Sequence, residues 1–480
     1  MLQITRSDIH LIDLQTRLPF KYGIATMTSA PHAFVRVQIE IDGEPAVGVA
    51  ADHLPPKWFK KDPDQPLEDE IDEMLRVIEH AVELSEGLSG ASAFGIWRQL
   101  DEQQKQWGSR EQLPPLLSNF GTTLVERAVI EAVCKSAGKS FAEALRSDYL
   151  GVRLGEIDER LKELTPVELL PAQPFRQVIA RHTVGMADPL TDEEISAEER
   201  LGDGLPQSLA ACIERYGLKH FKIKVSGNLE SDIERLEQIS AVIGRHASPK
   251  FVFTLDGNEQ FRSLDSFQEF WGSITDVDRL QSFFEHLMFV EQPFHRDVAL
   301  DADVLGALKT WTDRPKLIID ESDSEQDSLR RALELGYHGT SHKNCKGVFR
   351  GIANACLLEK LRQDNPGEVF IMSGEDLANI GPVALLQDLA VSSSLGVESI
   401  ERNGHHYFAG LSAFPQTVGQ QVLEYHGDLY RKTEEGWPSL DIQNGELNLG
   451  SVIAAPLGVG FELDVEQFTP SMEWRRNRNL

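Results

Sequence analysis

Alternating apolar and polar residues predict a strand near the start of the chain. In the stretch FVRVQIEIDG every second residue from Val35 to Ile41 is apolar, and Asp42-Gly43 follows as a turn signal. Two stretches with helical periodicity come next, EIDEMLRVIEHAVEL and TTLVERAVIEAVCKSAG. This mixture predicts an α+β domain over residues 1–145, which a linker over residues 146–174 connects to the rest of the chain.

Short apolar runs alternate with helical sequence over residues 175–414. We count eight such runs: QVIARHTVG, HFKIKV, FVFTLD, LMFVEQP, KLIID, GTSHK, EVFIMSGE and GVESIERNG. One intervening stretch, SDIERLEQISAVIG, has an apolar stripe, and Ser231 and Glu234 are spaced as a capping box. Eight strands with helices between them predict a (β/α)8 barrel, whose functional residues would lie at the carboxyl ends of the strands.

The last part of the chain, residues 415–480, does not continue the alternation of strands and helices that predicts the barrel. The stretch LDIQNGELNL has the Asn444-Gly445 pair of a β-hairpin turn, and PLGVGFELDVEQF is strand-like. Because a closed barrel needs no additional hairpin, we expect this segment to return to the first domain.

Composition and charge argue against several classes of function. The chain has 480 residues, 41% of them hydrophobic, and a formal net charge of -29, which argues against binding to nucleic acid. The beginning of the chain lacks the apolar core of a signal peptide, and no run is long enough to span a bilayer. We therefore expect a cytoplasmic protein. Its four cysteines lack C-x-x-C spacing, so reduced thiols are favoured over disulfides or a zinc site.

Carboxylates end three consecutive apolar runs. Asp256 ends FVFTLD, Glu291 follows LMFV, and Asp320 ends KLIID, each about one strand–helix repeat after the previous one. On a barrel these side chains would converge on one point, where they would repel one another without a cation. An all-oxygen set of ligands suits a hard divalent ion such as Mg2+. A single such residue is more often a solvated strand end or a helix cap.

Lysines occupy the runs on either side of these carboxylates. Lys222 and Lys224 share one face of the run HFKIKV, because strand side chains alternate. Lys343 ends the run GTSHK, and Lys346 lies close enough to compete with it for the same role.

These motifs in this order resemble the enolase superfamily, in particular its branch of muconate-lactonizing enzymes and dipeptide epimerases. The matching stretches are KIK, DGN, VEQP, IDES and a lysine in HKNCKG, together with RLPFKYG near the start and the closing segment LDIQNGELNLGSVIAAPLGVGFELD. The resemblance implies a TIM-type barrel with an α+β capping domain built from both ends of the chain. The additional length, unusual for this family, lies around residues 55–120 and 145–175.

The resemblance also implies a first chemical step. A base removes the proton α to a carboxylate, and Mg2+ held by Asp256, Glu291 and Asp320 stabilises the resulting enediolate. Lys224 would be the base, and Lys222 would lower its pKa and pair with the substrate carboxylate. Lys343 would serve as a second acid/base on the other face of the α-carbon.

Other residues have weaker signals. Four are candidates for contacts with substrate: Asn258, Glu375, Lys21 and Tyr22. The seventh run lacks the catalytic histidine of the mandelate-racemase-like and acid-sugar-dehydratase branches. His405 and His406 follow the eighth run, where such residues more often line a loop than donate a proton.

Three functions remain open on sequence grounds. A racemase, epimerase or cycloisomerase and a lyase or dehydratase acting on a carboxylate would share this site. A metal-binding barrel without catalysis is the third, and it is disfavoured because every ligand and base position is filled. The expected partner is a small-molecule carboxylate, with no nucleic acid or membrane, and the sequence leaves room for a homo-oligomer.

Overall fold

The computed structural model describes residues 1–22 and 24–478. An antiparallel sheet at the start of the chain packs against helices to form a cap. Its elements are β1 (Leu2–Tyr22), β2 (Ala25–Ile41), β3 (Glu44–His53), α1 (Leu67–Ser85), β4 (Ser89–Gly90), α2 (Ala93–Arg110), α3 (Pro115–Ala137), α4 (Phe141–Arg146) and α5 (Pro166–Leu169). Both predicted helices and the predicted strand are present.

The predicted alternation sets the faces of β2. Its apolar residues from Val35 to Ile41 are buried, and Asp42 and Gly43 make the turn to β3 with φ of 52° and 89°. The sheet lies very close to α3, since a Cβ added to Gly48 would be 1.9 Å from the carbonyl oxygen of Ala128. This close approach explains why glycine occupies that position of β3.

Eight parallel strands form a closed barrel. They are β5 (Gln177–Val184), β6 (His220–Lys224), β7 (Val252–Asp256), β8 (Leu287–Glu291), β9 (Leu317–Ile319), β10 (Gly339–His342), β11 (Ile371–Gly374) and β12 (Ser399–Arg402). Each strand pairs with the next in the chain, and β12 closes the ring on β5. Each of the eight apolar runs contains one of these strands, and the predicted barrel fold is confirmed.

Helices surround the barrel between its strands. They are α6 (Leu209–Tyr216), α7 (Leu229–His246), α8 (Leu264–Thr275), α9 (Gln281–Phe284), α10 (Ala302–Leu305), α11 (Ser328–Leu335), α12 (Val348–Asp364), α13 (Ala384–Ser394) and α14 (Gly404–Tyr407). The predicted capping box in α7 is wrong. The cap residue is Asn228, whose side chain accepts from the backbone N–H of Ser231, so Ser231 and Glu234 already lie inside the helix.

The last part of the chain contributes elements to both the barrel and the cap. Its elements are α15 (Gln416–Tyr425), β13 (Tyr430–Lys432), β14 (Pro438–Leu440), β15 (Glu446–Asn448), α16 (Gly450–Ala454), β16 (Thr469–Pro470) and α17 (Ser471–Arg478). The Asn444-Gly445 turn forms, but β15 pairs with β5 of the barrel and β14 pairs with β13. The hairpin therefore does not return to the cap. The later part of the segment does so: β16 pairs with β1, residues 456–458 contact α3, and the ring of Phe468 stacks on Phe34.

Within the described ranges, none of the helices is long and apolar enough to cross a lipid bilayer.

Candidate active site

A cavity lies between the cap and the carboxyl ends of the barrel strands. The cap contributes aromatic and cationic side chains, and the barrel contributes carboxylates and lysines. The lining includes Phe20, Tyr22, Trp58, Lys222, Lys224, Asp256, Asn258, Asp320, Glu321, Lys343 and Glu401. The cap therefore forms the roof of the site, and strand ends form its floor.

Three carboxylates end consecutive strands at this floor. Asp256 and Glu291 are the last residues of β7 and β8 and lie opposite each other in the ladder, while Asp320 follows β9 directly. Each of the three residues is at most 5% exposed. Parallel strands end at the same face of a barrel, which explains why residues so far apart in sequence meet here.

The ammonium of Lys222 occupies the centre of the carboxylate cluster. Its Nζ lies 3.2 Å from Oδ2 of Asp256, 2.9 Å from Oε2 of Glu291, 2.8 Å from Oε2 of Glu375 and 3.1 Å from Oε2 of Glu401. Burial lowers the pKa of Lys222, but the four carboxylates outweigh burial and raise that pKa well above its ordinary value. The four carboxylates therefore favour the charged form of Lys222.

The ammonium of Lys222 does not fully offset the effect of burial and neighbouring carboxylates on Glu291. Burial and the nearby Glu375 carboxylate raise the pKa of Glu291 well above its ordinary range, and Lys222 offsets only part of this. Oε2 of Glu291 is buried and accepts no hydrogen bond. The contact of this oxygen with Nζ of Lys222 at 2.9 Å is ionic. Together with Asp256 and Asp320, Glu291 forms an all-carboxylate donor set that fits a hard divalent cation.

The other two carboxylates remain ionised. Burial would raise the pKa of Asp256, but Lys222 and Lys224 outweigh it and hold that pKa at about 2. Burial acts in the same direction on Asp320, whose pKa is nevertheless held well below its usual value by Lys343 and Lys346. Both groups are thus available as anionic ligands at neutral pH.

Lys224 lies on one side of the cluster. Its Nζ donates to Oδ2 of Asp256 at 2.8 Å and to Oδ1 of Asn258 at 3.2 Å. Asn258 is held in turn by the backbone of Asp256, since its amide donates to that carbonyl at 3.1 Å. Asn258 therefore positions Lys224 as well as lining the cavity.

Lys343 lies on the other side of the cluster. Its Nζ donates to Oδ2 of Asp320 at 2.6 Å and lies 4.4 Å from the centre of the Trp58 ring. Burial lowers the pKa of Lys343, but Asp320 outweighs burial, so the net shift is upward. Lys346 binds the other oxygen of Asp320 at 2.8 Å and the carbonyl of Ser341, and only Lys343 of these two lysines lines the cavity.

The remaining candidates have different positions. Tyr22 lines the cavity, where its hydroxyl donates to the carbonyl of Pro56 at 2.7 Å. Glu375 forms ion pairs with Lys222 and Arg181 and is not among the described residues that line the cavity. Lys21 is exposed on β1 and is not part of the lining that the described residues supply.

Glu401 and Trp58 are site residues that the sequence reasoning missed. Glu401, on β12, contacts Lys222 and accepts from the hydroxyl of Thr183 at 2.6 Å. The sequence signal for Glu401 is its place near the end of the eighth run, GVESIERNG. Trp58 lies in an irregular turn after β3, and no local pattern marks it as the cover of Lys343.

Solved structures with the same architecture include an epimerase, a racemase and an enolase. A dipeptide epimerase from Enterococcus faecalis V583, complexed with Mg and the dipeptide L-Leu-L-Tyr, is 16% identical, with a TM-score of 0.59 over 95% of this chain and 99% of that one. An N-succinyl Arg/Lys racemase from Bacillus cereus is 15% identical, with a TM-score of 0.58 over 94% and 97%. An enolase from Bradyrhizobium complexed with magnesium and mandelic acid is 13% identical, with a TM-score of 0.57 over 99% and 98%.

Comparison of the sequence with models of protein families and with curated proteins gave no match. At this level of identity the structural likeness establishes the fold. The chain has the barrel and α+β cap of these epimerases and racemases, which confirms the fold that the sequence resemblance implied.

Proposed function

We propose that this protein is a Mg2+-dependent racemase or epimerase that exchanges the proton α to a carboxylate. One observation carries the proposal: two cavity lysines on opposite sides of a three-carboxylate cluster. Lys224 is bound to Asp256 on one side, and Lys343 is bound to Asp320 on the other. Two bases facing one carbon from opposite sides are what inversion of a stereocentre requires.

Asp256, Glu291 and Asp320 would hold the cation, and the buried Oε2 of Glu291, which accepts no hydrogen bond, supports this assignment. Bound there, Mg2+ supplies positive charge that stabilises the negative charge developing on the substrate carboxylate when the α-proton leaves.

Side chains of the protein would transfer the protons, bind the substrate carboxylate and orient the base. Nζ of one lysine accepts the α-proton, and Nζ of the opposite lysine donates a proton to the other face. Lys222 stays protonated and provides a fixed positive charge for a substrate carboxylate. Asn258 orients Lys224 through its 3.2 Å hydrogen bond.

The cap residues that form the roof limit access of water to the cavity. Their aromatic character also indicates which class of substrate would fit. Trp58 and Tyr22 are buried and close the cavity over Lys343 and the strand ends. We propose an N-substituted amino acid or dipeptide as the substrate, because relatives of this fold include a dipeptide epimerase and an N-succinyl amino acid racemase. The aromatic roof suits an apolar or aromatic group beside the reacting carbon.

Incubation in D2O with a panel of dipeptides and N-acyl amino acids tests the proposal. We expect deuterium at the α-carbon for at least one class, with a changed optical rotation for an epimerised dipeptide or a lost one for a racemised N-acyl amino acid. A chelator should abolish both effects, and Mg2+ should restore them. Exchange that leads only to elimination would instead identify a lyase. Exchange unaffected by the chelator would refute the role of the metal.

A further inference from the structure

A second cluster of metal-binding side chains lies outside the cavity. We propose that His182, Cys212 and His406 form a site for a borderline-soft transition metal such as Zn2+. The three residues come from β5, α6 and α14, and their ligand atoms all lie within 4.8 Å of one another. Because they are far apart in the chain, no short cysteine–histidine spacing reveals them.

The separation between Cys212 and His406 agrees with tetrahedral coordination. Zinc bonds of about 2.0–2.1 Å to nitrogen and about 2.3 Å to sulfur place neighbouring N and S ligands about 3.6 Å apart. Sγ of Cys212 lies 3.6 Å from Nδ1 of His406. The thiol–imidazole pair thus already has the spacing that a shared cation would impose.

The chemistry of the donors distinguishes this site from the carboxylate cluster. One thiolate and two imidazoles favour Zn2+ and related ions over Mg2+, which prefers oxygen. All three residues are at most 2% exposed, as in closed structural sites. The ring of His405 lies alongside, with Nε2 3.2 Å from Nδ1 of His182, so this ring or a water completes four positions.

The site lies where the cap contacts the barrel. The guanidinium of Arg17 on β1 donates to the carbonyl of His406 at 2.9 Å. Phe20, which lines the cavity, stacks on Tyr407 with ring centres 4.0 Å apart. A metal bound to His406 would fix α14 and thereby the part of the cap that forms the roof of the cavity.

Cobalt substitution gives a direct test on the full-length protein. After dialysis against a chelator, one equivalent of Co2+ should give the intense near-ultraviolet absorption of a thiolate–Co2+ bond, and Zn2+ should displace it. An oxygen-only site cannot give this band, so binding at Asp256 and its neighbours is not mistaken for it. In the parent protein, Zn2+ should also raise the midpoint of thermal unfolding.

Two cysteine variants make the test specific. Cys212→Ser should lose the thiolate band and the shift in unfolding midpoint due to this site. Cys356→Ser removes an equally buried thiol on α12 and should keep both. If Co2+ produces no thiolate band in the folded parent protein, the cluster is only a hydrogen-bonded group of side chains, and the proposal is wrong. A band that persists in folded Cys212→Ser would also overturn it.

Discussion

Nζ of Lys222 lies 2.9 Å from Oε2 of Glu291. The ammonium of this β6 lysine is therefore in direct contact with the carboxylate of the last residue of β8. The same ammonium contacts three other carboxylates, and Oε2 of Glu291 still accepts no hydrogen bond. Four carboxylates surround this one ammonium, and we infer that a divalent cation on Asp256, Glu291 and Asp320 completes the site.

Glu291→Gln should separate metal binding from folding. Because burial and neighbouring carboxylates raise the pKa of Glu291, its loss should leave the metal-free protein at least as stable as the parent. Mg2+ at a hundredfold its dissociation constant should stabilise the parent by about 2.7 kcal/mol and the variant hardly at all. Thermal unfolding with and without Mg2+ measures both effects, and Glu285→Gln, at an exposed position, is the control. Equal stabilisation of parent and Glu291→Gln would contradict the ligand assignment.

Mg2+ binding should release protons from Lys343. Burial lowers the pKa of Lys343, but its bond to Asp320 outweighs burial and keeps the lysine charged. A cation on Asp320 weakens that bond and repels the ammonium, so the pKa of Lys343 falls and a proton leaves. Mg2+ affinity should therefore increase as pH rises toward the lysine pKa. Calorimetry in two buffers of different ionisation enthalpy measures this release, and an affinity independent of alkaline pH would argue against it.

The aromatic ring of Trp58 should contribute to kcat/KM through its contact with Lys343. Trp58→Leu removes the aromatic face that lies 4.4 Å from Nζ of Lys343, an interaction of about 2 kcal/mol when desolvated. We expect kcat/KM to fall by roughly tenfold to thirtyfold, since about 1.4 kcal/mol corresponds to tenfold. Trp58→Phe keeps a ring and should retain most of the activity. Equal losses in the two variants would show that side-chain volume, and not the aromatic face, is what matters.

The buried pair of Arg127 and Asp52 should be a stability determinant of the cap. Arg127 is bound to Asp52 and to the carbonyl of Ala51, and Asp52 accepts at 2.8 Å from the amide of Asn379 in the barrel. Arg127→Met leaves a buried carboxylate unpaired and should cost about 3–5 kcal/mol of unfolding free energy. Urea denaturation measures this cost, with Arg330→Met at a partly exposed position as the control. A loss below about 1 kcal/mol would mean that Asn379 alone satisfies Asp52.

The sequence was informative where structure is local and repetitive. Apolar runs predicted all eight barrel strands, including the polar GTSH strand, which pairs with β9 and β11 on its two sides. The choice of partner for β15 was not predictable in this way. The Asn444-Gly445 turn is a local signal, but pairing of β15 with β5 depends on contacts far apart in the chain.

The same distinction applies to the site. Asp256, Glu291 and Asp320 were found because strand ends of a barrel share one face. Trp58 reaches Lys343 from a cap turn, and the cluster of His182, Cys212 and His406 joins three elements. Contacts of this kind follow from tertiary packing and leave no periodic signal in the chain.

The most direct test of the central proposal is α-proton exchange by enantiomer, using a substrate class identified in D2O. Lys224→Ala should lose exchange of one enantiomer and Lys343→Ala exchange of the other, each by a hundredfold to about ten-thousandfold. Lys250→Ala, at an exposed position, should exchange both enantiomers like the parent. If both active-site variants, folded and bound to Mg2+, still exchange both enantiomers at the parent rate, Lys224 and Lys343 are not the two bases.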